Sequence, residues 1–153
     1  MPVTDIYGFY TIANTYWGQA GGNYTSYTFD FDDETSYTVG LQNGVDLRDF
    51  NKGTNVWANT INGTTTQRIY DDPLTIYQLD RQWIDLAAAG YGGKNLTSFT
   101  VTDTGGESLS RVFLVAATAQ TGGIGQVPEP TNYTLAALTL GGLLLRRRRA
   151  LDG

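Results

Sequence analysis

Residues 24–32 alternate without a break. Tyr24, Ser26, Thr28, Asp30 and Asp32 fall on one side, and Thr25, Tyr27, Phe29 and Phe31 on the other. A repeat of two is the period of extended backbone, so this segment reads as a β-strand whose second set faces a core. The same vocabulary of Tyr, Thr, Val, Phe and Ile recurs in short runs at 5–13, 37–41, 56–59, 65–70, 74–79, 82–86, 96–102 and 111–121, with the alternating run itself spanning 23–31. Gly21-Gly22, Asn43-Gly44, Asn62-Gly63, Gly92-Gly93 and Gly105-Gly106 punctuate them with residues able to turn at positive φ. Only 85–89 offers a helical turn. Short strands between regular turns predict an all-β fold over residues 1–121, an antiparallel β-sandwich of jelly-roll-like form.

The 153 residues contain neither Cys nor His. Thiol nucleophiles, Ser-His-Asp triads and every metal site built on Cys or His are therefore excluded. Residues 1–130 hold six cations (Arg48, Lys52, Arg68, Arg81, Lys94, Arg111) against fourteen acids, a net charge of −8. So acidic a body repels phosphate backbones, and nucleic acid is not an expected partner.

Candidate chemistry is sparse. Asp30, Asp32, Asp33 and Glu34 place four carboxylates in five residues, and oxygen-only ligands would suit Ca²⁺ alone, at Asp30, Asp32 and Asp33. The competing reading is a solvated hairpin turn, with no other cofactor expected. Asp71-Asp72 before Pro73 reads as a turn initiator. Asp80 and Asp85, beside Trp83, are the pair that a glycosidase would need across a cleft, but no enzyme is expected, and no catalytic residue is assigned. Neighbouring charges on a strand point to opposite faces, so Arg48 and Asp49, and likewise Asp80 and Arg81, are expected to pair elsewhere. Trp57 and Trp83 lie within apolar alternation and are expected in the core. Trp17, in Asn14-Thr15-Tyr16-Trp17-Gly18, has a turn-like polar context and is the candidate for stacking on a sugar. Asn-X-Thr triplets begin at Asn23, Asn62, Asn95 and Asn132, a spacing that a Thr-rich chain produces by chance.

The C-terminus changes character abruptly. A Gly-rich linker at 122–126 leads to Val127-Pro128-Glu129-Pro130, then residues 131–145 carry no charge, and Arg146, Arg147, Arg148 and Arg149 follow. Fifteen residues rise about 22 Å as a helix, short of the roughly 30 Å hydrocarbon core. Tyr133 at one interface and snorkelling arginines at the other extend the span. Four arginines stay cytoplasmic, which places the acidic body outside.

The order of a Pro-Glu-Pro motif, a short apolar helix and an arginine cluster resembles the PEP-CTERM sorting signal of bacterial surface proteins. The resemblance covers residues 127–153. It implies export, transient anchoring in the inner membrane, and processing near Pro128-Glu129-Pro130 by an exosortase, a membrane transpeptidase-like enzyme associated with exopolysaccharide genes. The destination is then the cell surface or the extracellular matrix. Proteins of that family begin with a secretory leader, whereas residues 1–7 are neither basic nor continuously apolar, so a start further upstream or a truncated N-terminus is expected. Residues 27–35 followed by Val45-Asp46-Leu47-Arg48-Asp49-Phe50 also resemble, loosely, the galactose-binding-like jelly rolls of secreted bacterial proteins, with Asp33-Glu34 where those have Asp-Gly. Together these features lead to an exported, non-enzymatic surface or biofilm-matrix protein, with a carbohydrate-binding module as the alternative and a glycan-acting enzyme ranked last.

Overall fold

The computed structural model describes residues 2–52, 58–105 and 110–122. The expected C-terminal helix, the Val127–Pro130 motif, Arg146 to Arg149, most of the linker and Trp57 lie outside these residues. The described chain is all β: β1 (Val3–Tyr16), β2 (Thr25–Phe31), β3 (Ser36–Leu41), β4 (Thr66–Asp71), β5 (Gln78–Asp85), β6 (Lys94–Asp103) and β7 (Arg111–Thr121). Every pairing is antiparallel, and the strands run β3-β2-β6-β1-β5-β4 with β7 attached to β1.

The hub is β1. Along one edge, residues 6–16 pair with β7. Along the other, Val3 and Ile6 pair with β6, and residues 8–12 pair with β5. The register slips between Val3 and Ile6, where Asp5 takes a left-handed φ of 57°. Such a bulge bends a strand and lets it pass from one group of neighbours to another. The result is one strongly curled half-barrel sheet, where two stacked sheets were expected. Nothing in the residues at 5–13 distinguishes a strand with three partners from an ordinary one with two.

The period-2 reading of β2 holds: Thr25, Tyr27, Phe29 and Phe31 are buried and the intervening residues are not. Phe9 of β1 meets Phe29 edge-on at 5.2 Å and Phe99 at 4.6 Å, and Phe99 contacts Tyr27 and Phe29 at 5.2 Å each. Contacts of this kind stabilise by about 0.5–1.5 kcal/mol apiece beyond area burial.

On β5 the inward set is Gln78, Asp80, Gln82 and Ile84. Trp83, expected in the core, therefore falls on the outer face. It lies half-buried over Gly8, where a Cβ would come within 1.6 Å of the indole, and beside Tyr10 at 4.4 Å. Polar side chains take the inner face because each finds partners there, as described below.

The other departures are local. Of the expected strand at 74–79, residues 74–76 form a bend, with Asp72 Oδ1 accepting the Leu74 N–H at 2.9 Å, and residues 78–79 open β5. Residues 58–59, the described part of the expected strand at 56–59, belong to no strand. At 85–89 the expected single turn forms: Asp85 Oδ1 accepts the Ala88 N–H and the Asp85 carbonyl accepts the Ala89 N–H. Glu34 occupies the turn position usual for glycine, with φ of 64°, at a cost of roughly 1 kcal/mol.

A hydrogen-bond chain crosses the core. The Tyr27 hydroxyl donates to Thr11 Oγ1 at 3.2 Å, Thr11 donates to Gln82 Oε1 at 2.8 Å, and Gln82 Nε2 donates to the Ala13 carbonyl at 2.9 Å. Burial pushes the Tyr27 phenol up to about 12, against the opposing pull of the Thr11 hydrogen bond. Between its unfolded value of 10.0 and about 12, the folded chain keeps a proton that the unfolded chain has lost. The associated stability is complete below the lower value and lost as pH rises through the upper one. Tyr27→Phe is expected to cost about 0.5–1.5 kcal/mol at neutral pH and to flatten the alkaline loss of stability, as measured by urea unfolding over that pH range.

Candidate functional site

The largest buried polar cluster centres on Asp80 and Arg48. Arg48 grips the carboxylate with two bonds, Nε to Oδ2 at 2.7 Å and Nη2 to Oδ1 at 2.5 Å, and both side chains are almost fully excluded from solvent. Asn14 Nδ2 donates to Oδ2 at 2.7 Å, and the Asp80 N–H donates back to Asn14 Oδ1 at 3.0 Å. Arg48 therefore pairs away from Asp49, and Asp80 away from Arg81, as their adjacency predicts. Arg81 instead donates to Gln67 and stands 5.0 Å over the Tyr10 ring. Asp85 is engaged in its turn, so Asp80 and Asp85 do not face each other across a cleft as a catalytic pair would.

This clamp fixes the segment at 48–52 between the end of β1 and the start of β5. The Thr15 N–H donates to the Arg48 carbonyl at 2.9 Å, and the Phe50 N–H to the Thr15 carbonyl at 3.0 Å. On the other side the Gln78 N–H donates to the Phe50 carbonyl and Gln78 Nε2 to the Asp49 carbonyl, both at 2.9 Å. The segment thus acts as an extra rung that carries Phe50 to a position between Tyr16 and Tyr77.

Four rings then stack in series. Trp17 lies 4.8 Å from Tyr16 at 20°, Tyr16 is 5.6 Å from Phe50 at 24°, and Phe50 is 5.3 Å from Tyr77 at 13°. Phe113 of β7 closes on Phe50 edge-on at 5.7 Å. Tyr16, Trp17 and Tyr77 are 45%, 37% and 48% exposed. Near-parallel rings at these separations overlap with an offset, so the inner faces are spent on one another. Part of Tyr16, Trp17 and Tyr77 still reaches solvent.

Trp17 is held at a cost. Its φ is 55°, a left-handed conformation that bulky residues rarely adopt. Asp49 lies beneath, buried, and burial raises its carboxyl above the ordinary range, while the backbone amides of Asn51, Trp17 and Gly18 act in the opposite sense. A Cβ on Gly18 would come within 2.1 Å of Thr15 Oγ1. Among the described residues, that hydroxyl and both polar atoms of the Asn43 amide are buried without a hydrogen-bond partner. Backbone strain at Trp17 and unsatisfied buried polar groups near Gly18 make this the candidate site.

The other candidates from sequence separate. Asp30 accepts from Ser36 and Ser98, Asp32 from Asn95, and Asp33 from Lys94 and Thr35. Lys94, and then Thr35, hold the Asp33 carboxyl down at about 2. Among the described residues no three acidic side chains converge as a metal site would require. The amides of Asn62 and Asn95 are engaged locally: Asn62 Oδ1 accepts the N–H groups of Thr64 and Thr66, and Asn95 bridges Asp5 and Asp32. Tyr16, Phe50 and Tyr77 were not singled out from sequence. Tyr16 adjoins Trp17 and could have been, but the other two are brought in only by tertiary contact.

Comparison with family models, with curated proteins and with solved structures found no match to this chain.

Removing Asp80 leaves a buried guanidinium unpaired, so Asp80→Ala is expected to destabilise by about 3–5 kcal/mol. Replacing both charges, Arg48→Met with Asp80→Leu, is expected to cost less than either single change, as read from chemical denaturation midpoints.

Proposed function

We propose that this chain is an exported, non-enzymatic bacterial surface protein, delivered to the cell surface or an exopolysaccharide matrix through the sorting signal at 127–153. The support for the address is its order of parts: Pro128-Glu129-Pro130, fifteen uncharged residues, then Arg146, Arg147, Arg148 and Arg149. Prolines at 128 and 130 cannot extend a helix upstream without losing backbone hydrogen bonds, which suits a motif that a processing enzyme must reach. Sequestration of Asp80 in an ion pair supports a role without catalysis.

The delivered module is a carbohydrate-binding one, and the observation that carries this reading is the Trp17 indole. It is partly exposed in a strained conformation and stacks on Tyr16 of the Tyr16-Phe50-Tyr77 series. A pre-ordered, partly exposed aromatic cluster gives a sugar ring apolar contact at little entropic cost, with tyrosine hydroxyls as hydrogen-bonding groups. A net charge of −8 on residues 1–130 disfavours acidic glycans and favours neutral ones. In finer detail the half-barrel is read as sandwich-like: β3-β2-β6 form one group and β4-β5-β1-β7 the other, a reading supported by the ring contact between Phe9 of β1 and Phe29 of β2.

Two experiments separate address from ligand. In a host with an exosortase, the protein fused to a secretory leader is expected to be cleaved near residues 128–130 and released, while replacement of Arg146 to Arg149 by Ser leaves it unprocessed; equal processing of the two forms refutes the sorting role. In pull-downs on neutral polysaccharides, Trp17→Ala is expected to lose at least tenfold in retention, with Leu74→Ala, a change at a residue 93% exposed, binding like the parent. Undiminished binding by Trp17→Ala removes the carbohydrate site without touching the export reading.

A further inference from the structure

The sheet has three ends, at β3, β4 and β7, and they are not equally protected. β3 is six residues long, and β4 carries Arg68 and Asp71, joined in an ion pair that Lys52 extends. β7 is eleven residues long, with no charge and no proline from Val112 to Thr121. One edge of β7 pairs with β1; among the described residues no strand pairs with the other, and the Val112 N–H donates to Asp103 Oδ2 at 2.7 Å. Residues 114–118 are exposed on both faces of the strand, with Leu114 and Val115 at 40% and 55%. Its register with β1 shifts twice, between Ile6 and Gly8 and again where Ile12 and Ala13 face Ala116 and Leu114.

An uncharged edge of this length is a template for another strand, because its outward N–H and C=O groups are already aligned for pairing. We infer that the β7 edge is a homotypic docking site, at which β7 of a second copy pairs antiparallel about a two-fold axis near Ala116. The charges flanking the strand select that arrangement. Arg111 stands at one end, and among the described residues it forms no ion pair. Asp5 stands at the other, its carbonyl accepting the Gly122 N–H, and its carboxylate likewise forms no ion pair among those residues. Antiparallel pairing brings each Arg111 toward Asp5 of the other copy, about two strand spacings or roughly 10 Å across the sheet, within reach of an arginine side chain. Parallel pairing would set Arg111 against Arg111. The small side chains at 116, 117 and 119 let the two strands approach without a steric contest. A matrix protein with such an edge joins to its own kind through backbone, independently of any ligand at Trp17.

The absence of cysteine makes the geometry directly testable on the full chain in detergent. A two-fold near Ala116 places residue 116 of each copy side by side and separates the two copies of residue 121 by the length of the strand. On mild oxidation, Ala116→Cys is expected to give a covalent dimer in at least tenfold greater yield than Thr121→Cys or Ile69→Cys, the latter on the β4 edge. Arg111→Glu added to Ala116→Cys is expected to lower that yield several-fold while the β-type circular dichroism is unchanged. Equal cross-linking at all three positions indicates association through another part of the chain and overturns the proposal, as does an Ala116→Cys yield no higher than the controls.

Discussion

The Arg48–Asp80 pair is the constraint on which the outer part of this molecule depends. It takes two charges out of water, and the guanidinium fork returns that energy only because Asn14 supplies a third donor to the same carboxylate. A hydrophobic pair could fill the same volume. It could not set the direction of the segment at 48–52, because bidentate geometry fixes the angle at which Arg48 leaves its backbone. From that angle follow the rungs from Thr15 to Arg48 and from Phe50 to Thr15, and with them the insertion of Phe50 between Tyr16 and Tyr77.

The two sides of β1 divide the labour. On the β2 and β6 side, aromatic rings interlock in a core whose stability derives from burial and ring packing. On the β5 side, the inward positions are Gln78, Asp80 and Gln82, held by directional bonds. Directional groups locate loops more narrowly than apolar contacts do, and it is on the polar side that the exposed aromatic series sits. The conformational cost at Trp17 is then borne by a frame that cannot relax it, since Asp49 and Asn43 below are themselves packed against fixed backbone.

Exposure follows the same division. β4 is guarded by charge, whereas β7 leaves backbone and apolar side chains open together. The proposed binding face at Trp17 and the proposed pairing edge at β7 adjoin at Phe113, whose ring touches Phe50. Assembly along β7 and a glycan at Trp17 would thus act on neighbouring elements, which suits a protein arranged in arrays.

Much of the sheet was legible from the residues alone. Period-2 alternation placed Tyr27, Phe29 and Phe31 inward because a strand's faces are fixed by its pleat, and β7 fell on the segment anticipated because an uncharged run of small and branched residues ended at Gly122-Gly123. The adjacency of Arg48 to Asp49 and of Asp80 to Arg81 showed that each charge must find a partner elsewhere. It did not show that Arg48 and Asp80 would choose each other, because they are 32 residues apart and no local geometry relates them. For the same reason Trp17 could be picked out from its turn-like surroundings, while Phe50 and Tyr77 could not be joined to it. Only the tertiary structure turned β5 so that Trp83 faces outward and Gln82 inward: hydrophobicity alone prefers the reverse, and the hydrogen bonds that overrule it come from β1, which the chain reaches only by folding.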